Sequence, residues 1–187
     1  MVRIGATGHR LLIDHEKISA GIETALRRIE ALHSPSTLTV VSSLAQGADC
    51  LIATHVIKRT DARLIVPLPL PVDDYLRDFT SQDDARVFRD LLARADEVIQ
   101  LPPASSREAS YEAAGAYVLN NCDVLLTIWD GQLAQGKGGT GYVVEHARQL
   151  RMPVAWVHAG NRNKDTNEPT SLGEQQGLVT FERMDET

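Results

Sequence analysis

Short apolar runs rich in β-branched residues alternate along this chain with stretches whose apolar positions recur every three or four residues. The first pattern belongs to strands and the second to amphipathic helices. The opening run covers residues 2–5. Ile18, Ile22, Ala25, Leu26, Ile29 and Leu32 then share one helical face, which predicts a helix over 16–33 with Asp14 as its N-cap. The same reading places further strands at 38–41, 64–66, 97–101, 124–129 and 154–157. Helices are expected at 48–58, 87–95, 111–119 and 141–150. The run 124–129 is apolar almost throughout, as a strand covered on both faces must be.

Strands separated by crossover helices imply parallel pairing with right-handed connections. The expected architecture is therefore α/β: a three-layer, Rossmann-like, doubly wound and mainly parallel sheet with helices on both faces. Two stretches depart from the alternation. Pro67, Pro69 and Pro71 lie in PLPLPVDDY, and their missing ladder donors predict a loop that leaves the sheet for solvent, of a kind that often covers sites. Residues 160–177 are polar and aperiodic, and read as a flexible connection to an edge strand over 178–183. The domain is accordingly drawn over 1–159, followed by the connection and edge strand in 160–187.

Composition narrows the class without changing this picture. Apolar residues make up 43% of 187, enough for a real core in one domain, and no apolar run approaches a membrane span. The N-terminus MVRIGATGHR lacks the layout of a signal peptide, so a cytoplasmic protein is expected. With 25 acidic against 19 basic residues, the formal charge of −6 disfavours nucleic acid as a partner while leaving room for a local basic pocket. Cys50 and Cys122 form no CxxC pair and are expected as buried thiols rather than a zinc site.

Ligands of doubly wound sheets sit beyond the carboxyl ends of the strands, which directs attention to three loops. In the last, glycines 136, 138, 139 and 141 surround Lys137 and Thr140 just before a helix. Unhindered amides and a positive helix end there suit an anion, with Lys137, Gly138, Gly139 and Thr140 as the phosphate-binding candidates. The loop matches neither a Walker sequence nor a GxGxxG turn, which counts against ATP hydrolysis and nicotinamide chemistry. After the first strand, Thr7 and Gly8 permit a tight turn while His9 and Arg10 supply a titratable donor and a fixed cation. After the second, Gly47 allows close approach, and Ser42, Ser43 and Gln46 offer partners for ribose or phosphate. Tyr75 and Tyr111 are weaker candidates for base stacking. Asp73, Asp74 and Asp78 read equally as an exposed acidic loop, so no metal is assigned.

Taken in order, GATGHR, SSLAQGAD, CDVLLTIWDG, GKGGT and a helix containing VVEHAR resemble the SLOG superfamily, the Rossmann-like nucleotide-binding group that includes the Smf/DprA and LOG proteins. The resemblance spans residues 1–158. It implies a nucleotide or nucleotide-derived ligand with the GGT loop on phosphate, and self-association as a homodimer; no cofactor is implied. Some relatives, the LOG phosphoribohydrolases, cleave the N-glycosidic bond of nucleoside monophosphates, and others are ligand sensors. LOG-type enzymes carry glutamates two and three residues after the threonine of PGGxGT, where this chain has Tyr142 and Val143. An oxocarbenium-like transition state needs a carboxylate nearby. Glu145, one helical turn further, and Asp130, at the end of the buried strand, are the remaining catalytic candidates; Asp130 is also a ribose-binding candidate. A sensor-like binding protein is thus the expected function, with an N-glycosidase using Glu145 or Asp130 as the alternative.

Overall fold

A computed structural model describes residues 1–34, 36–133 and 138–184. Its centre is the strand β5 (Val124–Trp129), buried at all six positions. Val124, Leu126 and Ile128 enter one core, and Leu125 and Trp129 enter the other. That alternation is the two-residue period of a strand read out against helices on both sides.

Around it the chain runs β1 (Val2–Gly8), α1 (His15–Leu32), β2 (Leu38–Val41), α2 (Ala48–Val56), β3 (Arg63–Leu68), α3 (Val72–Tyr75), α4 (Gln82–Ala93), β4 (Glu97–Gln100) and α5 (Arg107–Asn120). After β5 come α6 (Thr140–Gln149), β6 (Val154–His158) and β7 (Val179–Glu182). The strands make one seven-stranded sheet in the order β4-β3-β2-β1-β5-β6-β7. All neighbours are parallel except β6 and β7. Residues of α1, α2 and α4 share the larger core, and α6 with the end of α5 builds the smaller one. The molecule is thus an α/β three-layer Rossmann-like fold. No helix among the described residues is long and apolar enough to cross a membrane.

Three expectations change. Pro67 lies within β3, opposite Ile99 in the parallel ladder with β4, and the segment that follows stays partly in the protein, with Leu68, Pro69 and Tyr75 buried while Pro71 and Asp73 are exposed. Ile65 accepts from Ser42 on the β2 side, whereas Leu64 and Leu68 accept from the β4 side. The nitrogen of Pro67 therefore points toward β2, whose ladder has already ended at Val41, so no donor is lost. Asp14 precedes α1 but makes no capping bond, because its left-handed backbone turns the carboxylate to the hydroxyl of Ser171. α5 starts at Arg107, earlier than its apolar period suggests, because the Ser106 hydroxyl accepts from the Ala109 amide and caps it.

The polar stretch after β6 is held at its base. Gln176 is buried, its carbonyl accepting from the amides of Gly160 and Leu172 while its amide donates to Ile13. β7 then returns antiparallel along β6.

α1 and α2 are joined across their outer sides by Glu23, which accepts from Arg59 and pairs with His55 at 2.6 Å. Hydrogen bonds from Arg59 lower the Glu23 carboxyl from 4.5 to about 2. A depressed acid stabilises the fold above its unfolded value and loses that contribution as pH falls toward the folded one. Stability is therefore expected to decline between pH 4.5 and about 2 through this group. At pH 7, Glu23→Gln should cost about 0.5–1 kcal/mol, allowing for solvent screening of a part-exposed pair. Urea unfolding at a series of pH values checks this, and a parallel decline in the variant would reject it.

Candidate functional site

Strand order reverses between β1 and β5, so the loops leaving their carboxyl ends diverge and open a crevice. A cleft of about 1000 Å³ fills it. Thr7, Gly8, His9 and Arg10 line it from the β1 side, Ser43 from the loop after β2, and Asp130 from the end of β5. Gly138, Gly139 and Thr140 close it from the N-terminus of α6. Sequence candidates from all three loops thus meet in one place. Lys137 lies outside the described residues.

The first two loops are locked together by backbone. The Ala48 amide donates to the His9 carbonyl at 3.0 Å, and the His9 amide donates to Ile128 at 3.0 Å. A Cβ on Gly47 would lie 2.3 Å from the Arg10 carbonyl and 2.6 Å from that of His9, and its φ of +86° also disfavours a side chain. Gly8 likewise leaves room for the Ala48 methyl and the Ile128 carbonyl. The freedom of these glycines is used by the protein's own chain. Ser42 is spent in the same way: its hydroxyl donates to Asp49 at 3.1 Å and accepts from the Leu44 amide. Gln46 and Thr80 bond reciprocally, at 2.7 and 2.9 Å, tying this loop to the segment after α3.

His9 is buried, and its Nε2 accepts the Asp130 amide at 3.0 Å while lying 3.2 Å from Asp130 Oδ1. Burial lowers its pKa, against the opposing pull of the Asp130 carboxylate. Nε2 thus faces both the amide and the carboxylate of Asp130. Among the described residues His9 Nδ1 has no hydrogen-bond partner. That ring nitrogen is therefore open to a ligand at the cleft wall.

Asp49, in the first turn of α2, is a cleft residue that sequence reasoning passed over. Desolvation raises its carboxyl to about 7, against the Ser42 hydroxyl, the Ala45 amide and the charge of Arg10. An acidic residue on the buried face of an apolar helix was the available signal. Arg10 lies over the Tyr111 ring at 5.5 Å and has no ion-pair partner among the described residues. Tyr111 is no free stacking platform: Arg107 sits over the same ring at 6.0 Å, and its hydroxyl donates to Asp78. Asp78 and Asp74 both accept from Arg107, which explains the acidic loop as the anchor of α5. Tyr75 packs edge-on against Phe79 and Phe88, inside the core.

At α6, Gly139 is the N-cap and contributes no side chain, so among the described residues no side-chain cap competes with an anion for the first-turn amides. Tyr142 donates to Glu112 of α5 at 2.7 Å, and Val143 is buried. Glu145 is exposed and lines, with Arg148, an adjoining depression of about 330 Å³ that shares Trp129, Leu133 and Gly141 with the main cleft. Of the two catalytic candidates, Asp130 alone lines the main cleft. The far wall comes from residues no motif announced, among them Asn161, Arg162 and Lys164 in the turn after β6.

No protein-family model matches this chain, and no curated protein matches it significantly in sequence.

The clamp between loops predicts that Gly47→Ala destabilises the fold by about 2–4 kcal/mol, from backbone strain together with overpacking. Chemical denaturation measures the loss. A change below about 0.5 kcal/mol, within the ordinary surface range, would mean the loops are not rigidly joined.

Proposed function

We propose that this protein binds a nucleotide or nucleotide derivative at the switch-point cleft and acts as a ligand-responsive module rather than a hydrolase. The observation that carries this reading is the convergence, on one cleft, of Arg10, which has no ion-pair partner among the described residues, the N-terminus of α6 and the His9 ring. The cation and the helix end favour an oxygen anion, and together they suit a phosphate. Thr7, Ser43 and Asp130 add hydroxyl and carboxylate partners appropriate to a ribose. Residues 7–10, Ser43, Asp130 and 138–140, drawn from motifs that resemble the SLOG superfamily, line this one cleft, which supports membership.

Binding is favoured over glycosidic cleavage because the turn of α6 nearest the cleft carries Tyr142 and Val143, committed to Glu112 and the core, with Glu145 on the adjoining depression. Removing one well-placed stabilising group from such a transition state costs roughly 100- to 1000-fold in rate. Asp130 is the carboxylate on which the hydrolytic alternative depends, and it already holds the Gln132 amide at 3.0 Å.

Incubation with AMP, GMP, CMP and UMP is expected to yield saturable binding by calorimetry and no free base by chromatography. Base release abolished by Asp130→Asn would establish the hydrolase instead. Gly139→Asp, which sets bulk and negative charge before the α6 amides, should abolish binding while leaving the fold intact. Unchanged affinity in that variant would place the ligand elsewhere.

A further inference from the structure

We propose that the turn after β6 is a second anion subsite, so that the ligand carries a nucleoside 5′-diphosphate moiety rather than a monophosphate. The inference rests on the nucleotide reading above and specifies its substrate class. Three positive features follow consecutive strands along the carboxyl edge: Arg10 after β1, the N-terminus of α6 after β5, and Arg162 with Lys164 after β6. Neighbouring strands lie about 4.8 Å apart, so these features form a track for two adjacent phosphates. The first would sit between Arg10 and the α6 amides, and the second between those amides and the turn.

The turn is built to present its cations. Arg162 bridges to Pro169, the Asn163 amide donates to Glu168 at 2.7 Å, and the Thr170 amide donates to Asn161 at 2.6 Å. Below it, Ala159 donates to Trp129 at 3.0 Å, and Gln176 holds Gly160, which fixes the turn to β5 and to the core. Arg162 and Lys164 line the cleft, whereas the acidic residues of the same turn, Asp165 and Glu168, do not. Neither cation has a carboxylate partner among the described residues, where the Arg162 guanidinium makes a single bond, to the Asn167 side-chain oxygen at 3.3 Å. In a chain of net charge −6, this concentrates positive charge at one end of the cleft. On the remaining carboxylates the balance is local: Asp78 is matched by Arg107, and Asp49 and Asp130 lie on the Arg10 and His9 side. The cleft continues past Arg10 to Thr80 and Pro69, leaving length for a nucleoside beyond the phosphates.

The test is calorimetry on the full chain with the mono- and diphosphates of adenosine, guanosine, cytidine and uridine, and with ADP-ribose. For the preferred base, the diphosphate should bind roughly 10- to 100-fold more tightly than the monophosphate, the gain of charge-assisted hydrogen bonds to a second phosphate. The double variant Arg162→Ala/Lys164→Ala should remove that gain and leave monophosphate affinity within about twofold, since a group touching only the second phosphate adds nothing to the first. Both side chains are exposed, so an unchanged thermal melt should accompany the loss. ADP-ribose matching ADP would identify a sugar-linked diphosphate, and ADP binding alone a free one; either supports the subsite. Equal affinity for mono- and diphosphate, or a gain that survives the double variant, overturns the subsite while nucleotide binding stands. Absence of binding by every nucleotide overturns both.

Discussion

The pairing of β1 with both β2 and β5 is the constraint on which the molecule depends. From β1 the chain builds outward through β2, β3 and β4, then returns to the other side of β1 to lay down β5, β6 and β7. Right-handed crossovers in opposite directions put α1, α2 and α4 on one face and α5 and α6 on the other, so the connections after β1 and β5 turn away from each other. What remains between them is a crevice at the centre of the sheet edge, backed by rigid strands. The same pairing buries β5 on both faces and forces its near-continuous apolar sequence.

Within that crevice, burial and charge oppose each other. His9 and Asp49 are both deep enough for desolvation to favour their neutral forms, and each is held by a hydrogen-bond set that leaves little freedom. The exposed contribution at the rim is cationic, from Arg10, Arg162 and Lys164. A chain with a formal charge of −6 can therefore present a positive end to its cleft, at Arg162 and Lys164, with the lining carboxylates Asp49, Asp78 and Asp130 placed elsewhere along it and Asp78 spent in an ion pair with Arg107. Fixed cations over buried neutral groups suit recognition of an anion better than the proton transfers of hydrolysis.

Much of this was legible in the sequence because it is local. Periodicity located the strands and helices, with β2 and β5 correct to the residue, and the rule that ligands sit beyond strand ends selected the loops that meet in the cleft. What failed was non-local. Pro67 could enter β3 because its neighbour β2 ends early, which depends on pairing register. Asp14 left its cap for Ser171, more than 150 residues away in the chain. Gly8 and Gly47 carried the same sequence signature as ligand-approach glycines, yet the space they free is filled by Ala48 and by the carbonyls of His9 and Arg10.

By itself, the sequence determined the α/β class, the order of elements and which loops leave the carboxyl edge where the cleft opens, since strand and helix periods and the handedness of crossovers are short-range properties of the chain. Tertiary structure alone decided which candidates share a wall. It removed Ser42 into a hydrogen bond with Asp49, set Glu145 on the adjoining depression, brought Asp49 into the cleft, and folded the aperiodic turn with Arg162 and Lys164 over its far end. The reason is that side-chain direction at a sheet edge follows from packing between elements distant in sequence, and no local pattern encodes which neighbour will claim a polar group first.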